Sequence, residues 1–527
     1  MEFIIFRKEW DKKASANGPA AGLALRSMTS VEKLKAHLFK TLGELGTITV
    51  VDDEIGVDAL VRLASKPGVI LVPFLKVFPW FSFPHRVLAH SLGDYLLPHV
   101  FFAANNYAPN TTTLVTSDVQ AERIRNHLHQ AAPRLCTFSP TLDERDLYPP
   151  NPKEKRAARK KYHADETDFH IVYAGRWLSS KGICQLIRAL NLWPLKKTKI
   201  TLAGNFEPDF HLYQTSASHF NFEHYFDHEV VVHNQVPLET LKAQDPDGLR
   251  ELFWSADLFV YPSVHEDENF GIVPREAVLC GTPVLTSDFC GLKTVGDTMP
   301  WGPLSTYATL AGPRFSLFEL GRKIKTVLKS GGQDLERPIQ AIRSECDYQL
   351  AKSNLKKACE ELAREPLAKV PGLQQMEKTI LHNLYKYAEV ELVNVLLKEE
   401  SSPLPDGVFT DGGAPVADRG KMGLLQAVIQ GFYTTSPVPP EVETNTLWRG
   451  FWRVAAWPDE CKIIEFGFPG PRIKQYSEKE WKNFSPAFTH SHGETTICPR
   501  TKIQVQYTQE LVDMGYLVPD APWRHKH

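Results

Sequence analysis

The stretch DLFVYPSVHEDENFGIVPREAVLCGTPVLTSD, from Asp257 to Asp288, decides the fold. An apolar run, a Pro-Ser turn, an acidic loop, a helix-compatible segment and a second apolar run follow one another in the strand–loop–helix–strand order of a parallel α/β unit. A helix that begins near Phe270 or Gly271 aims unsatisfied backbone N–H groups and its positive dipole end at the carboxyl edge of the preceding strand, where an anion can bind. Glu268 stands just before this helix, and Glu276 lies inside it, eight positions on. Acidic side chains at an anion site suit a ligand that also carries hydroxyls, as ribose and hexose do, because carboxylates accept hydrogen bonds from them.

A second block, IVYAGRWLSSKGICQLIRAL from Ile171, reads as strand, Gly turn and helix, with Arg176 in the turn and Lys181 at the helix start. Arg offers a bidentate fork and Lys a point charge, so together they can neutralise a diphosphate leaving group. Basic residues after the first strand of a domain and a Glu pair after its fourth or fifth form a stronger signal than either block alone.

Outward from these blocks the alternation continues through KITLAG from Lys199 and EVVVH from Glu229. Before them, FIIF from Phe3, ITVV from Ile48, VILV from Val69, VFFA from Val100 and TLVT from Thr113 alternate with helix-like stretches, which predicts a parallel sheet covered on both faces. The Pro- and charge-rich segment from Asp143 to Asp168 reads as a crossing between domains plus a solvated helix. The expected organisation is a first Rossmann-like domain over 1–150, a second over 165–335, a helical segment crossing back over 336–400, and a small appended domain of unknown role over 401–527. Two such α/β domains face a cleft, and ligands of open sheets bind beyond the carboxyl ends of their strands.

Composition excludes several function classes. The 527 residues are 43% hydrophobic and 23% charged, the balance of a globular protein with several cores. Lys and Arg total 60 against 62 Asp and Glu, so no global basic excess exists to hold a nucleic-acid backbone, and no nucleic-acid partner is expected. Eight cysteines lie far apart without CxxC pairs, which points to a reducing compartment. No apolar run approaches the ~20 residues that cross a bilayer. A cytoplasmic protein is the expectation, with peripheral membrane contact left open.

GRWLSSKG together with ENFGIVPREAVLCGTPV resembles the nucleotide-sugar domain of GT-B retaining glycosyltransferases, specifically the family 4 group with its E-x7-E spacing, met here by Glu268 and Glu276. TLVTSDVQAERI and TFSPTLDERDLYPP are similar to the end of that family's N-terminal domain. The resemblance implies a hexosyltransferase that moves a sugar from a UDP- or GDP-sugar to an unidentified glycan, lipid or protein acceptor. It implies that Arg176 and Lys181 bind the donor diphosphate, that Glu268 holds sugar hydroxyls and Glu276 the ribose, and that backbone amides around Asn269, Phe270 and Gly271 meet the transferred sugar or phosphate. The resemblance makes Arg176, Lys181 and Glu268 the catalytic set. It further implies no bound metal and no cofactor beyond the donor co-substrate, since the cations and helix amides do the work of Mg²⁺. An N-terminal Gly-rich turn faces the diphosphate in the family, and Ser15 to Gly22, with Gly18, is the candidate here.

One departure is Asn105 and Asn106 where many members carry a His; His85, His90 and His99 lie nearby but do not match by position, so no catalytic His is carried over. The aromatic loop from Phe74 to Pro84 reads as core packing, an acceptor platform or a membrane-dipping edge. His490, His492 and Cys498 lack the spacing of a zinc site. A non-catalytic GT-B-fold binding or scaffold protein acting through its C-terminal domain is the alternative, and a GT-B epimerase or phosphorylase a third possibility.

Overall fold

A computed structural model describes residues 1–6, 30–51, 57–72, 86–90, 111–128, 134–142, 146–164, 169–205, 226, 238–265, 268–309, 312–330, 334–366, 439–466, 472–491 and 494–520. The chain divides into two units. The first holds Met1–Glu144, Glu266–Ile272 and Ala341–Pro403; the second holds Arg145–His265, Val273–Gln340 and Leu404–His527.

In the first unit, strands β1 (Glu2–Phe6), β2 (Thr47–Val51), β3 (Val69–Val72), β4 (Val87–Ala89), β5 (Thr111–Val115) and β6 (Arg134–Thr137) form one sheet. Their order is β2-β1-β3-β4-β5-β6, and every pairing is parallel. Phe3 and Ile5 of β1, Ile70 and Val72 of β3, and Leu88 and Leu114 point into one core. That period of two meets the three- and four-residue period of two helices. Ser30–Leu45 contributes Leu34, Leu38 and Leu42, and Tyr348–Arg364 contributes Ala351, Leu355, Cys359 and Leu362. The second helix thus carries the chain back to the first unit. It is fastened at both ends, by Tyr348 and Lys352 to Glu44 at 2.9 and 2.6 Å, and by Arg86 and Arg134 to the carbonyl and carboxylate of Glu365 at 2.8 and 2.7 Å. The expected strand from Val100, the Phe74–Pro84 loop, Asn105, Asn106, His85 and His99 lie outside the described residues.

The second unit opens on the basic helix Pro152–Lys161, which starts at a capping box of Asn151 and Glu154 with Pro at its first position. Its sheet comprises β7 (Phe169–Ala174), β8 (Thr198–Ala203), β9 (Leu238–Leu241), β10 (Leu258–Tyr261) and β11 (Val284–Thr286), again all parallel. The order β11-β10-β7-β8-β9 puts the first strand in the middle and reverses direction between β7 and β10, the 3-2-1-4-5 order of a doubly wound, nucleotide-binding sheet. The EVVVH run from Glu229 lies outside the described residues, and the edge strand described is β9. Two successive doubly wound parallel sheets are the parts from which a GT-B chain is built.

The appended domain expected over 401–527 falls almost wholly in the second unit, and its described residues, from 439 onward, carry a core of their own. A two-strand ribbon of β12 (Thr306–Tyr307) and β13 (Arg314–Phe315) precedes them. Then β14 (Trp448–Gly450), β18 (Phe488–Ser491), β19 (Glu494–Ile497) and β20 (Leu517–Pro519) form one antiparallel sheet, and β15 (Arg453–Trp457), β16 (Lys462–Phe466) and β17 (Arg472–Gln475) another. Buried polar ties join them to the Rossmann-like part: Ser316 Oγ donates to the Pro519 carbonyl at 2.8 Å, Arg314 Nε to Gly515 at 3.0 Å, and Arg188 to Phe451 at 3.1 Å. The Arg314 guanidinium also lies 4.5 Å over the Phe451 ring. The eight cysteines are free thiols, and among the described residues no helix is long and apolar enough to cross a membrane.

His170 of β7 is fully buried. Its Nδ1 donates to the Ser255 carbonyl at 3.1 Å and its Nε2 accepts from the Thr201 hydroxyl at 2.8 Å, so both nitrogens are used by the neutral ring. Burial, outweighing the Ser255 bond, pushes its pKa from 6.5 down to about 4, and burial with Lys35 nearby takes His90 to about 3. Above pH 6.5 the folded and unfolded chains are both neutral at these rings. As pH falls below 6.5 only the unfolded chain takes up the proton, so stability drops until the folded pKa is reached. At about 1.4 kcal/mol per pKa unit, His170 alone accounts for up to about 3 kcal/mol. We expect the urea midpoint to fall between pH 7 and pH 4.5, and to fall less in His170→Gln; equal slopes in the two proteins would refute the assignment.

Candidate functional site

The reversal between β7 and β10 is where an open α/β sheet binds its ligand, and both motif blocks leave the sheet there. After β7 the chain turns through Gly175 and Arg176, forms the short 3-10 turn Ser179–Lys181, and enters the helix Ile183–Leu192. The turn is tied down by backbone bonds. Gly175 N donates to Ala203 O at 3.0 Å, Trp177 N to Asn205 O at 2.9 Å, and Tyr173 Oη to Arg176 O at 2.9 Å. On the other side Val264 N, in the loop after β10, donates to Ser180 O at 2.8 Å.

Gly182 sits between the 3-10 turn and the helix with φ 75°, and a Cβ placed there would lie 2.4 Å from the Pro262 carbonyl oxygen. Only glycine lets the two turns approach this closely. Lys181 is buried at 4% exposure while Arg176 is exposed, so the two cations of the motif stand in unlike surroundings. The Lys181 ammonium lies 5.8 Å from the centroid of the Tyr261 ring, which stacks on Tyr173 at 5.4 Å. The aromatic floor holds a charge that burial deprives of water. Sequence reasoning missed Tyr173 and Tyr261 as site residues, because β-strand aromatics read as ordinary core.

The acidic block begins in the loop after β10. Glu268, Asn269, Phe270 and Gly271 are all buried, at 5%, 3% and 4% exposure for the first three, and they belong to the first unit. Gly271, with φ 75°, immediately precedes the helix Ile272–Leu279. This is the helix expected near Phe270 to Gly271. Glu276 is its fifth residue, half-buried, in the second unit with Arg176 and Lys181. Arg176 and Lys181 therefore share one turn, and Glu268 to Gly271 share one loop. Gly18 and the Ser15–Gly22 turn lie outside the described residues. His490 is engaged by Thr495, whose Oγ1 is 3.0 Å from its Nδ1, and His492 lies outside the described residues.

Residues 154–297 match the family model for Glycosyl transferases group 1. That span contains β7 to β11 and Arg176, Lys181, Glu268 and Glu276. A D-inositol 3-phosphate glycosyltransferase of Paenarthrobacter aurescens is 29% identical over 191 residues, 33% of this chain and 43% of that protein. An uncharacterized glycosyltransferase of Methanocaldococcus jannaschii is 32% identical over 148 residues, 27% of this chain and 33% of that one. The chain thus spans less than half the length of the curated relatives it matches. Among solved structures, sucrose-phosphate synthase from Thermosynechococcus elongatus superposes with a TM-score of 0.47 at 15% identity, over 68% of this chain and 98% of that one. HepE of Anabaena in complex with UDP gives 0.46 at 17%, over 68% and 99%.

The turn at Gly182 yields a direct test. Gly182→Ala must place a side chain against the Pro262 carbonyl at a left-handed φ, and it should cost about 1–3 kcal/mol in urea unfolding. A loss below about 0.5 kcal/mol would show that the two turns are not held together as described.

Proposed function

We propose that this chain, whose residues 154–297 form a glycosyl transferases group 1 domain, is an enzyme that transfers a sugar from a nucleotide-sugar donor to an acceptor hydroxyl with retention at the anomeric carbon. The observation that carries the proposal is the emergence of the Arg-Lys turn and the acidic loop from β7 and β10, the two strands at the switch point of the second sheet. The donor is a UDP- or GDP-sugar and the acceptor a glycan, lipid or protein.

In this reading the donor diphosphate lies over the β7 turn, where Arg176 and Lys181 meet its charge. As the glycosidic bond loosens toward an oxocarbenium-like state, negative charge grows on the departing diphosphate, and cations already fixed in place stabilise that state more than the ground state. Glu268 accepts hydrogen bonds from the sugar, the amides of Asn269, Phe270 and Gly271 face sugar or phosphate, and Glu276 accepts from the ribose. The acceptor proton passes to a donor phosphate oxygen, so no protein base is required. The same cations make a bound metal unnecessary, and a site in the cytoplasm fits a nucleotide-sugar donor.

A thermal-shift screen over UDP-, GDP- and ADP-sugars identifies the donor, since a ligand stabilises the folded state by RT ln(1 + [L]/Kd). No shift with any of the three classes would sink the proposal. With the donor so identified, and in buffer containing EDTA, Arg176→Ala and Lys181→Ala should each slow release of the nucleoside diphosphate about 10²-fold or more. Near-wild-type rates in both would remove the diphosphate assignment, and a Mg²⁺-reversible loss of wild-type activity in EDTA would remove the metal-free one.

The two carboxylates should separate by what they bind. Glu276→Gln loses a charge-assisted bond to the ribose, worth about 1.5–3 kcal/mol, and calorimetry should find the free nucleoside diphosphate bound roughly 10- to 150-fold more weakly. Glu268→Gln should bind it nearly as wild type while transferring sugar more slowly. Equal nucleotide affinity in all three proteins withdraws the ribose role of Glu276.

A further inference from the structure

The first unit holds a polar network that none of the family-level roles employs. Ser117 follows β5 and caps the helix Asp118–Leu128, its Oγ accepting from Gln120 N at 3.2 Å. The same Ser117 hydroxyl donates to the backbone carbonyl of Asn269 at 3.1 Å. Gln120 bridges in turn: its Oε1 accepts from Thr116 N at 3.0 Å and Thr116 Oγ1 at 3.3 Å, and its Nε2 donates to Asn269 Oδ1 at 3.1 Å. Thr116, Ser117, Gln120 and Asn269 are 4%, 1%, 3% and 3% exposed. A buried network in which each donor and acceptor has a fixed partner allows one arrangement and penalises others, because a broken bond leaves an unsatisfied group out of water.

We infer that Ser117 and Gln120 are positioning residues for the acidic loop: by gripping both the backbone and the side chain of Asn269, they set where Glu268 and the amides of Asn269 to Gly271 stand. The proposed reaction gives neither residue a contact with the donor. The inference rests on the proposed transfer reaction for its functional consequence, but not for its structural one. Two bonds to one residue fix the loop in translation and in rotation, which a single bond does not. Glu268 precedes the gripped residue directly, and the left-handed Gly271 follows two positions after it, so slack at Asn269 displaces both the carboxylate and the backbone amides of the loop. The effect on chemistry follows from geometry. Misplacement by about 1 Å can cost about 10²-fold in rate while leaving contacts elsewhere on the ligand intact.

The test uses the full chain and three variants. Gln120→Leu removes the donor to Asn269. Ser117→Asp keeps a side chain that caps the helix but has no proton to give the Asn269 carbonyl. Thr137→Val breaks the 2.6 Å bond from Thr137 to Asp118 of the same helix without touching Asn269, and serves as the control. Amide hydrogen exchange of residues 268–271 in the ligand-free protein should speed up at least about tenfold in the first two variants and stay at the wild-type rate in the third. With UDP-glucose as the probe, kcat for sugar release should fall about tenfold or more in the first two while UDP affinity by calorimetry falls by less than that, since Arg176 and Lys181 stand on a separate turn. Unchanged loop exchange in Gln120→Leu and Ser117→Asp overturns the inference, as does faster exchange accompanied by wild-type kcat. Loss of protection in Thr137→Val to the same degree overturns it too, by reducing the effect to helix stability. A wild-type protein that neither binds UDP nor turns over UDP-glucose counts against the proposed reaction with this donor, and the exchange data then decide the grip on the loop alone.

Discussion

Everything at the switch point depends on one carboxylate at the opposite end of the same two strands. Asp257 precedes β10; its backbone N–H donates to His170 O at 2.8 Å, and its Oδ2 accepts from His170 N at 2.9 Å and from Arg159 at 2.7 Å. It thereby fixes the register of β10 on β7, Leu258 against Ile171 and Phe259 against Val172, and locks the basic helix Pro152–Lys161 to both. A slip of one residue would turn every side chain of a strand to the other face. With the register held at the amino ends, Tyr173 and Tyr261 emerge stacked at the carboxyl ends, and the two turns beyond them meet at Gly182 and Pro262.

The unlike environments of Arg176 and Lys181 follow from that meeting. Folding the 3-10 turn under the Pro262 loop buries Lys181, and a buried ammonium needs a compensating partner near it; the face of Tyr261 is one. Arg176, at the crest of the turn, keeps its contact with water. A cation already stripped of water and held by its surroundings has little reorganisation left when a ligand arrives, whereas an exposed guanidinium serves capture from solution. Within six residues of chain the turn thus carries one buried and one exposed positive charge.

The parts legible in the sequence are those with local causes. The β7 and β10 blocks declare themselves because β-branched runs, a Gly turn and an acidic loop are each short-range signals, and the helix after Gly271 begins within two residues of where the pattern places it. The return helix Tyr348–Arg364 is equally plain from its apolar stripe. What the sequence withholds is the partner of each polar group. TLVTSDVQAERI reads plainly as a strand followed by a helix, yet nothing in it announces that Ser117 and Gln120 bind Asn269, some 150 positions away. The aromatic-rich stretch from 439 onward reads as a separate appendage for the same reason, since the bonds from Arg188, Arg314 and Ser316 that join it to the second unit carry no periodicity.

Those last bonds have a consequence in time. Arg314 and Gly515 are 201 residues apart along the chain, and Ser316 and Pro519 are 203. A ribosome adding roughly 5–20 residues per second needs roughly 10–40 s to make that interval. For that period the Pro313 carbonyl can already accept from Arg314 Nη1, but the Gly515 carbonyl that accepts from its Nε does not yet exist. The nascent second unit must wait with part of the Arg314 guanidinium and the edge of Phe315 that later packs on Phe451 open to solvent, so its window of exposure to chaperones, or to a neighbouring nascent chain, is written into the distance between β13 and β20.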